Sequence, residues 1–142
     1  DEVEILDRLA DGSLSAPLTT EPISLPDVEF LQDVASRVFV HRTIKEYIVS
    51  LIDTTRGGGP RPLAKWGDHV RVGASPRGGI ALMRLGQALA LLQGRAYVVP
   101  DDIRAMRHPA LRHRLVLTYD ALANDVAPES LVDAVFAAVP VP

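Results

Sequence analysis

The sequence predicts an all-α fold, a helical bundle of about five helices with one short extended pair, and three observations predict it. Hydrophobic residues make up 47% of the 142 residues but aromatics only 5%. The core must therefore rest on Leu, Val, Ile and Ala, and Ala and Leu lead the helix propensity order. Ile44, Tyr47, Ile48, Leu51 and Ile52 recur at i, i+3, i+4, i+7 and i+8, the stripe with which a helix buries one face. Residues 80–92 are apolar on most faces, interrupted by Arg84 and Gln87, as expected of a helix surrounded by others.

The elements follow in order. Residues 1–10 read as a short helix with Val3, Ile5, Leu6 and Leu9 near one face, stopped by Gly12. Residues 13–24 hold Pro17 and Pro22 and read as an extended connection. A helix runs from about Pro26 to Arg37, with Pro26 at its first position, Asp27 and Glu29 in the first turn, and Phe30, Leu31, Val34 and Val38 at helical spacing. The stripe at 44–52 makes the next helix, and Gly57-Gly58-Gly59-Pro60 ends it. Residues 61–71, with the sole tryptophan Trp66, read as a loop or a helical turn.

Ser75-Pro76-Arg77 opens the third and longest helix. Ser75 is placed to accept a backbone N–H as N-cap, and Pro76 at N1 lacks only a donor that would go unpaired anyway. Gly94 is its natural C′ residue. Tyr97-Val98-Val99 is extended, and Pro100-Asp101-Asp102 opens a fourth helix that runs to about Arg107, its acidic groups where the macrodipole favours them. Residues 115–119 are β-like and are expected to pair with Tyr97-Val98-Val99. Pro128-Glu129 opens the last helix, with Leu131, Val132, Val135, Phe136 and Val139 on one side.

Several chemistries are excluded. The net charge of −3 counts against a nucleic-acid binder, and the absence of cysteine removes disulfides, thiolate metal sites and a cysteine nucleophile. The acidic start Asp1-Glu2-Val3-Glu4 is unlike a signal peptide, and the longest apolar-rich stretch, residues 78–92, is too short to span a bilayer, so a cytoplasmic protein is expected. The chain lacks an initiator Met and ends Val-Pro-Val-Pro, so a longer parent is expected.

No G-x-x-x-x-G-K-[ST] is present, the glycines at 57–59 lack the following Lys and Ser/Thr, and neither H-E-x-x-H nor G-x-S-x-G occurs. His108 and His113 are flanked by Arg107, Arg112 and Arg114, cations that would repel a metal, and no metal site is expected. The basic run from Arg104 to Arg114 reads as a helix end complementing the dipole, or as a surface for an acidic partner, a phosphate or a neighbouring subunit.

Arg77 stands apart from these. It lies in the first turn of a capped helix, where anions collect, and its planar fork can hold two phosphate oxygens at once. By itself this position also suits an ordinary solvated arginine.

The surroundings of Arg77 carry a resemblance. Gly73-Ala74-Ser75-Pro76-Arg77-Gly78, followed by an apolar helix, resembles the sensor-2 motif of MoxR-family AAA+ ATPases. Gly94-Arg95-Ala96-Tyr97-Val98-Val99-Pro100-Asp101-Asp102-Ile103 resembles the family's GR-x-YV-x-P-x-D turn, and Leu111-Arg112-His113-Arg114 its L-x-H-R segment. Residues 44–56 resemble its helix ending in TR, and the closing Val-Pro-Val-Pro its usual C-terminus.

The resemblance covers about residue 24 to the end. It implies that residues 24–142 are the helical AAA+ lid and that 1–23 are the end of the ATPase core or the linker to the lid. Arg77 then matches the sensor-2 arginine, with Ser75, Pro76 and Arg77 facing the nucleotide and Arg77 contacting the γ-phosphate of its own or a neighbouring subunit. ATP and Mg would be bound mainly by a core outside these residues, and no cofactor is expected on this chain alone.

The partners implied are that core, neighbouring subunits of a ring, often a hexamer, and proteins bearing a von Willebrand A domain, in chaperone-like maturation of client proteins. A stand-alone helical adaptor for protein partners is the alternative reading. Two departures stand out. Gly78 and Gly79 should loosen the first helical turn by roughly 1 kcal/mol each, and the stretch 57–62 is richer in glycine than usual. The chain by itself is expected to release no phosphate from ATP in a colorimetric assay, and measurable hydrolysis would contradict the assignment.

Overall fold

The computed structural model describes residues 2–12, 22–59 and 63–142. They divide into two units, Asp1–Leu31 and Gln32–Pro142. Most of the expected connection at 13–24, and Pro60 to Pro62 of the glycine-rich stretch, lie outside the described residues.

In the first unit α1 spans Glu2–Ala10, and Gly12 follows with φ 76°. Its apolar residues Val3, Ile5, Leu6 and Leu9 are exposed. Helix α2 (Leu25–Ser36), whose residues from Gln32 on belong to the second unit, starts one residue before Pro26. The cause is a reciprocal capping box: Ser24 N–H donates to Asp27 Oδ2 (3.0 Å) and Asp27 N–H donates to Ser24 Oγ (3.3 Å). None of its residues is fully buried. Phe30 and Leu31 are exposed, and Val38 joins the core from beyond the helix end.

The second unit holds α3 (Arg42–Thr54), α4 (Trp66–His69), β1 (Val70–Val72), α5 (Pro76–Leu92), α6 (Pro100–Ala105) and α7 (Arg107–Leu111). A 3₁₀ turn (Arg112–Arg114), β2 (Val116–Leu117), α8 (Tyr119–Ala123) and α9 (Pro128–Ala138) complete it. The α3 stripe is buried as its spacing requires, and α5 packs on α3, α6 and α7 while α9 packs on α3 and α7. Leu51, Leu82, Ile103, Leu111, Val132 and Val135 are fully buried where these helices meet.

Two details differ from expectation. The fourth helix is cut after Ala105 and restarts at Arg107. Pro109 has no N–H for the Ala105 carbonyl, and its ring crowds that carbonyl, so one continuous helix is excluded. The extended pair exists with other partners. Val70 and Val72 pair antiparallel with Leu117 and Val116, and Tyr97 instead forms a parallel bridge with Phe39.

Side chains decide both pairings. Thr118 Oγ1 donates to Asp68 O (2.6 Å) and brings β2 to β1. The buried amide of Gln87 donates to Ser36 O (3.1 Å) and Val38 O (2.8 Å), anchoring the residues before Phe39 to α5. No helix among the described residues is long and apolar enough to cross a membrane.

The turn after α5 is held by an ion pair. Arg95 Nη1 donates to Asp102 Oδ2 (2.9 Å) and to Tyr97 O (3.0 Å), and Arg95 Nη2 donates to Asp102 Oδ1. Asp102 also accepts the Val99 N–H (2.8 Å) at the start of α6. Burial alone would push the Asp102 carboxyl up, but the Arg95 hydrogen bonds, the Val99 N–H and the Arg95 charge outweigh it and hold it below the ordinary carboxylate value.

Two predictions follow from these contacts. Gln87→Leu should destabilise the chain by about 1–3 kcal/mol in chemical denaturation, because the Ser36 and Val38 carbonyls lose their donor. The Asp102 contribution, from a carboxylate whose pKa is depressed on folding, should be complete above about pH 4 and lost as pH falls below it. Asp102→Asn should flatten that acid limb of a denaturation series, and an unchanged limb would contradict the assignment.

Candidate functional site

Helix α3 ends at Thr54, with Thr55 as its C-cap and Arg56 just beyond, where a helix leaves carbonyls without partners. Here the segment before α5 engages that end. Ala74 N–H donates to Thr55 Oγ1 (2.9 Å), and Arg56 Nε donates to Ala74 O (2.8 Å). Thr55 Oγ1 in turn donates to Ile52 O (2.6 Å), and Trp66 Nε1 donates to Thr55 O (2.9 Å). Thr55 and Ala74 are fully buried.

The approach requires glycine at position 73. A Cβ there would lie 2.1 Å from Thr55 O and 2.8 Å from Arg56 N, closer than atoms can come. Arg56 also lies 3.6 Å from Asp53 Oδ1, with its side chain 40% exposed.

From this anchor the chain enters α5. Ser75 occupies the N-cap in an extended conformation, yet its side chain makes no capping bond, contrary to expectation. The start of the helix is set instead by the contacts to Ala74. Pro76 is the first helical residue. Arg77 follows, exposed, and among the described residues it has no hydrogen-bond or ion-pair partner.

Gly78 and Gly79 do not simply loosen this turn. A Cβ on Gly78 would press on Ala74, Ile52 and Leu111 at 3.2–3.4 Å, and one on Gly79 on Ile48 and Ile52 at 3.3–3.4 Å. Their propensity cost is set against a close approach of α5 to α3 and α7. Beside the turn lies a largely apolar cavity of about 390 Å³ between α3 and α5, lined by Ile48, Ile52, Pro76, Gly79, Ile80 and Met83, with Lys45 and Arg56 also on its wall.

The other cationic and histidine candidates are placed elsewhere. Arg107 Nε donates to Asp133 Oδ1 (2.6 Å), and His108 Nε2 contacts the same oxygen (2.9 Å). The Arg107 hydrogen bond first, then that of His108 and both charges, hold the Asp133 carboxyl below its ordinary value. Arg112 reaches Glu129 (3.4 Å), and Arg114 Nε donates to Ala110 O (2.8 Å). The acidic partner of the basic run is thus largely α9 of the same chain. His41 caps α3 by accepting the Thr43 N–H (3.2 Å), and His113 sits exposed in the 3₁₀ turn.

A model of the AAA lid domain family matches residues 67–135. Chaperone MoxR1 of Mycobacterium tuberculosis is 36% identical over 145 residues, covering all of this chain and 37% of its own length. Protein MoxR of Paracoccus denitrificans is 35% identical over 115 residues, covering 77% of this chain and 34% of its own. The chain is a MoxR-type AAA lid domain.

The lid spans 30–41% of the length of the curated relatives it matches, among them the uncharacterized Bacillus subtilis protein YeaC, 40% identical over 141 residues and covered to 41%. Its fold superposes on the crystal structure of a candidate ATPase from Cytophaga hutchinsonii with a TM-score of 0.83 at 25% identity, over 99% of the lid and 42% of that chain. The family match takes in Gly73, Arg77, the Arg95–Asp102 pair and most of α9.

Thr55 and Arg56 were not singled out from the sequence as site residues. The end of a helical stripe is visible locally, but a bond from there to Ala74, eighteen or nineteen residues on, leaves no periodic trace. Gly73→Ala should destabilise the lid by about 2–4 kcal/mol, because backbone rather than a side-chain tip must give way. An unchanged denaturation midpoint would contradict the close approach.

Proposed function

We propose that the lid senses nucleotide through Arg77 in a MoxR-type AAA+ ATPase, with the guanidinium contacting the γ-phosphate and coupling ATP state to remodelling or maturation of client proteins. The observation that carries this is an exposed arginine without a partner among the described residues, held in the first turn of a 17-residue helix. Arg56, Arg95, Arg107, Arg112 and Arg114 are all engaged within the chain. Arg84, on the same helix, lies two turns away from the amide end, and Arg71, also exposed and without a partner among the described residues, lies in β1 and not at a helix start.

Pro76 has no N–H to offer and the Gly78 N–H is donated to Ser75 O (2.8 Å), so the dipole at that end and the planar fork of arginine, which matches two phosphate oxygens, are what favour an anion here. The adjoining apolar cavity suits the flat apolar part of a nucleotide whose phosphates reach Arg77. Developing charge on a transferred phosphoryl group is stabilised by such a guanidinium.

In this reading the phosphate-binding loop and the Mg ligands belong to the core of the full-length protein, and the lid closes over them within a ring oligomer. The nucleotide is that of the same subunit or of its neighbour. The name of the mycobacterial relative supports a chaperone role, and a von Willebrand A protein is a candidate partner. Arg77→Ala in the full-length protein should lower ATP turnover by about a hundredfold while the thermal unfolding midpoint stays near native. Native turnover in that variant would overturn the reading.

A further inference from the structure

Arg77 is only as well placed as the chain that leads to it. Three residues before it, Ala74 has its N–H held by the Thr55 hydroxyl and its carbonyl held by Arg56 Nε, at 2.9 and 2.8 Å. Between Ala74 and Arg77 stand Ser75, extended at φ −77° and ψ 168°, and Pro76, whose ring fixes φ. Little freedom is left in the link.

Thr55 is itself held on two further sides. Its hydroxyl hydrogen goes to Ile52 O, and its carbonyl accepts the Trp66 indole N–H. Gly73 packs backbone to backbone against the same residue. The usual device for fixing a helix start, an N-cap side chain, makes no bond at Ser75, so these contacts take its place.

We infer that Thr55 and Arg56 form a two-point latch on Ala74 that sets where Arg77 is presented, which makes them positioning residues of the phosphate-sensing site. The inference rests on the reading of Arg77 as the phosphate contact. The latch also touches the space beside it, because Arg56 lines the apolar cavity that runs along α3 and the first turns of α5. The guanidinium that holds the Ala74 carbonyl therefore borders the volume proposed for the nucleotide. Occupancy of that volume and placement of Arg77 share one side chain.

The test is a set of double-mutant cycles in the full-length ATPase. Thr55→Val removes the hydroxyl at nearly constant volume, Thr55→Ser keeps it, and Arg56→Ala removes the second point. Each is measured alone and with Arg77→Ala, for kcat and KM with ATP, beside a thermal unfolding curve. Thr55→Val should lower kcat about tenfold, with KM changed by less than about twofold, and Thr55→Ser should stay within about twofold of native.

On top of Arg77→Ala, neither Thr55→Val nor Arg56→Ala should add more than about twofold, because the residue they position is gone. The same fold-loss with and without Arg77 would overturn the latch and leave a purely structural role. Native kcat in both Thr55→Val and Arg56→Ala would overturn it as well. Native turnover in Arg77→Ala alone would overturn the sensing role and the latch together. Should Thr55→Val fail to fold, Arg56→Ala decides the question by the same comparison, since its side chain is 40% exposed.

Discussion

Both backbone groups of one alanine govern the placement of the longest helix in this lid. A buried N–H and C=O need partners, and the cost of leaving either unpaired is comparable to that of a lost hydrogen bond. At Ala74 the partners are side chains from the end of α3, so satisfying the alanine also joins α3 to α5. The demand propagates outward. It requires glycine at 73 to let the backbones meet, and it draws in Trp66 to hold the Thr55 carbonyl. It also leaves Ser75 free of the capping duty its position suggests.

The other end of α5 is secured in a comparable way. Gln87 donates to the carbonyls of Ser36, the last residue of α2, and of Val38 just beyond it, and the Arg95–Asp102 pair closes the turn into α6. Each of these uses a buried or half-buried polar side chain to fix backbone, with apolar packing filling the space between. Such polar ties are weak evidence of net stability, since desolvation offsets much of their attraction. Their effect is better read as register: they decide where α5 begins, and which segments lie beside it.

Much of this was legible beforehand. The α3 stripe, the extent of α5 and the proline-led starts of α6 and α9 are all local patterns, and the structure agrees with them. The fourth helix ends at Ala105, within two residues of the expected Arg107, and the short helix that follows, Arg107–Leu111, has no periodic signal of its own.

What stayed hidden depends on contacts between distant residues. Strand pairing was assigned between the two nearest β-like runs, while the true partner of Val116–Leu117 lies on the far side of α5 in sequence, brought there by Thr118 and Asp68. The latch on Ala74 joins residues eighteen and nineteen apart and has no period to detect. Glycines 78 and 79 look like weak points by propensity and become contact points only once Ile48, Ile52 and Leu111 are placed around them.

The central claim is that a fixed helix start presents Arg77 to a phosphate. It is tested most directly by a crystal structure of the full-length protein with a non-hydrolysable ATP analogue and magnesium. The account predicts the Arg77 guanidinium within hydrogen-bond distance of a γ-phosphate oxygen, with Ala74 still held by Thr55 and Arg56. An Arg77 side chain turned to solvent, with the γ-phosphate contacted only by other groups, would contradict it.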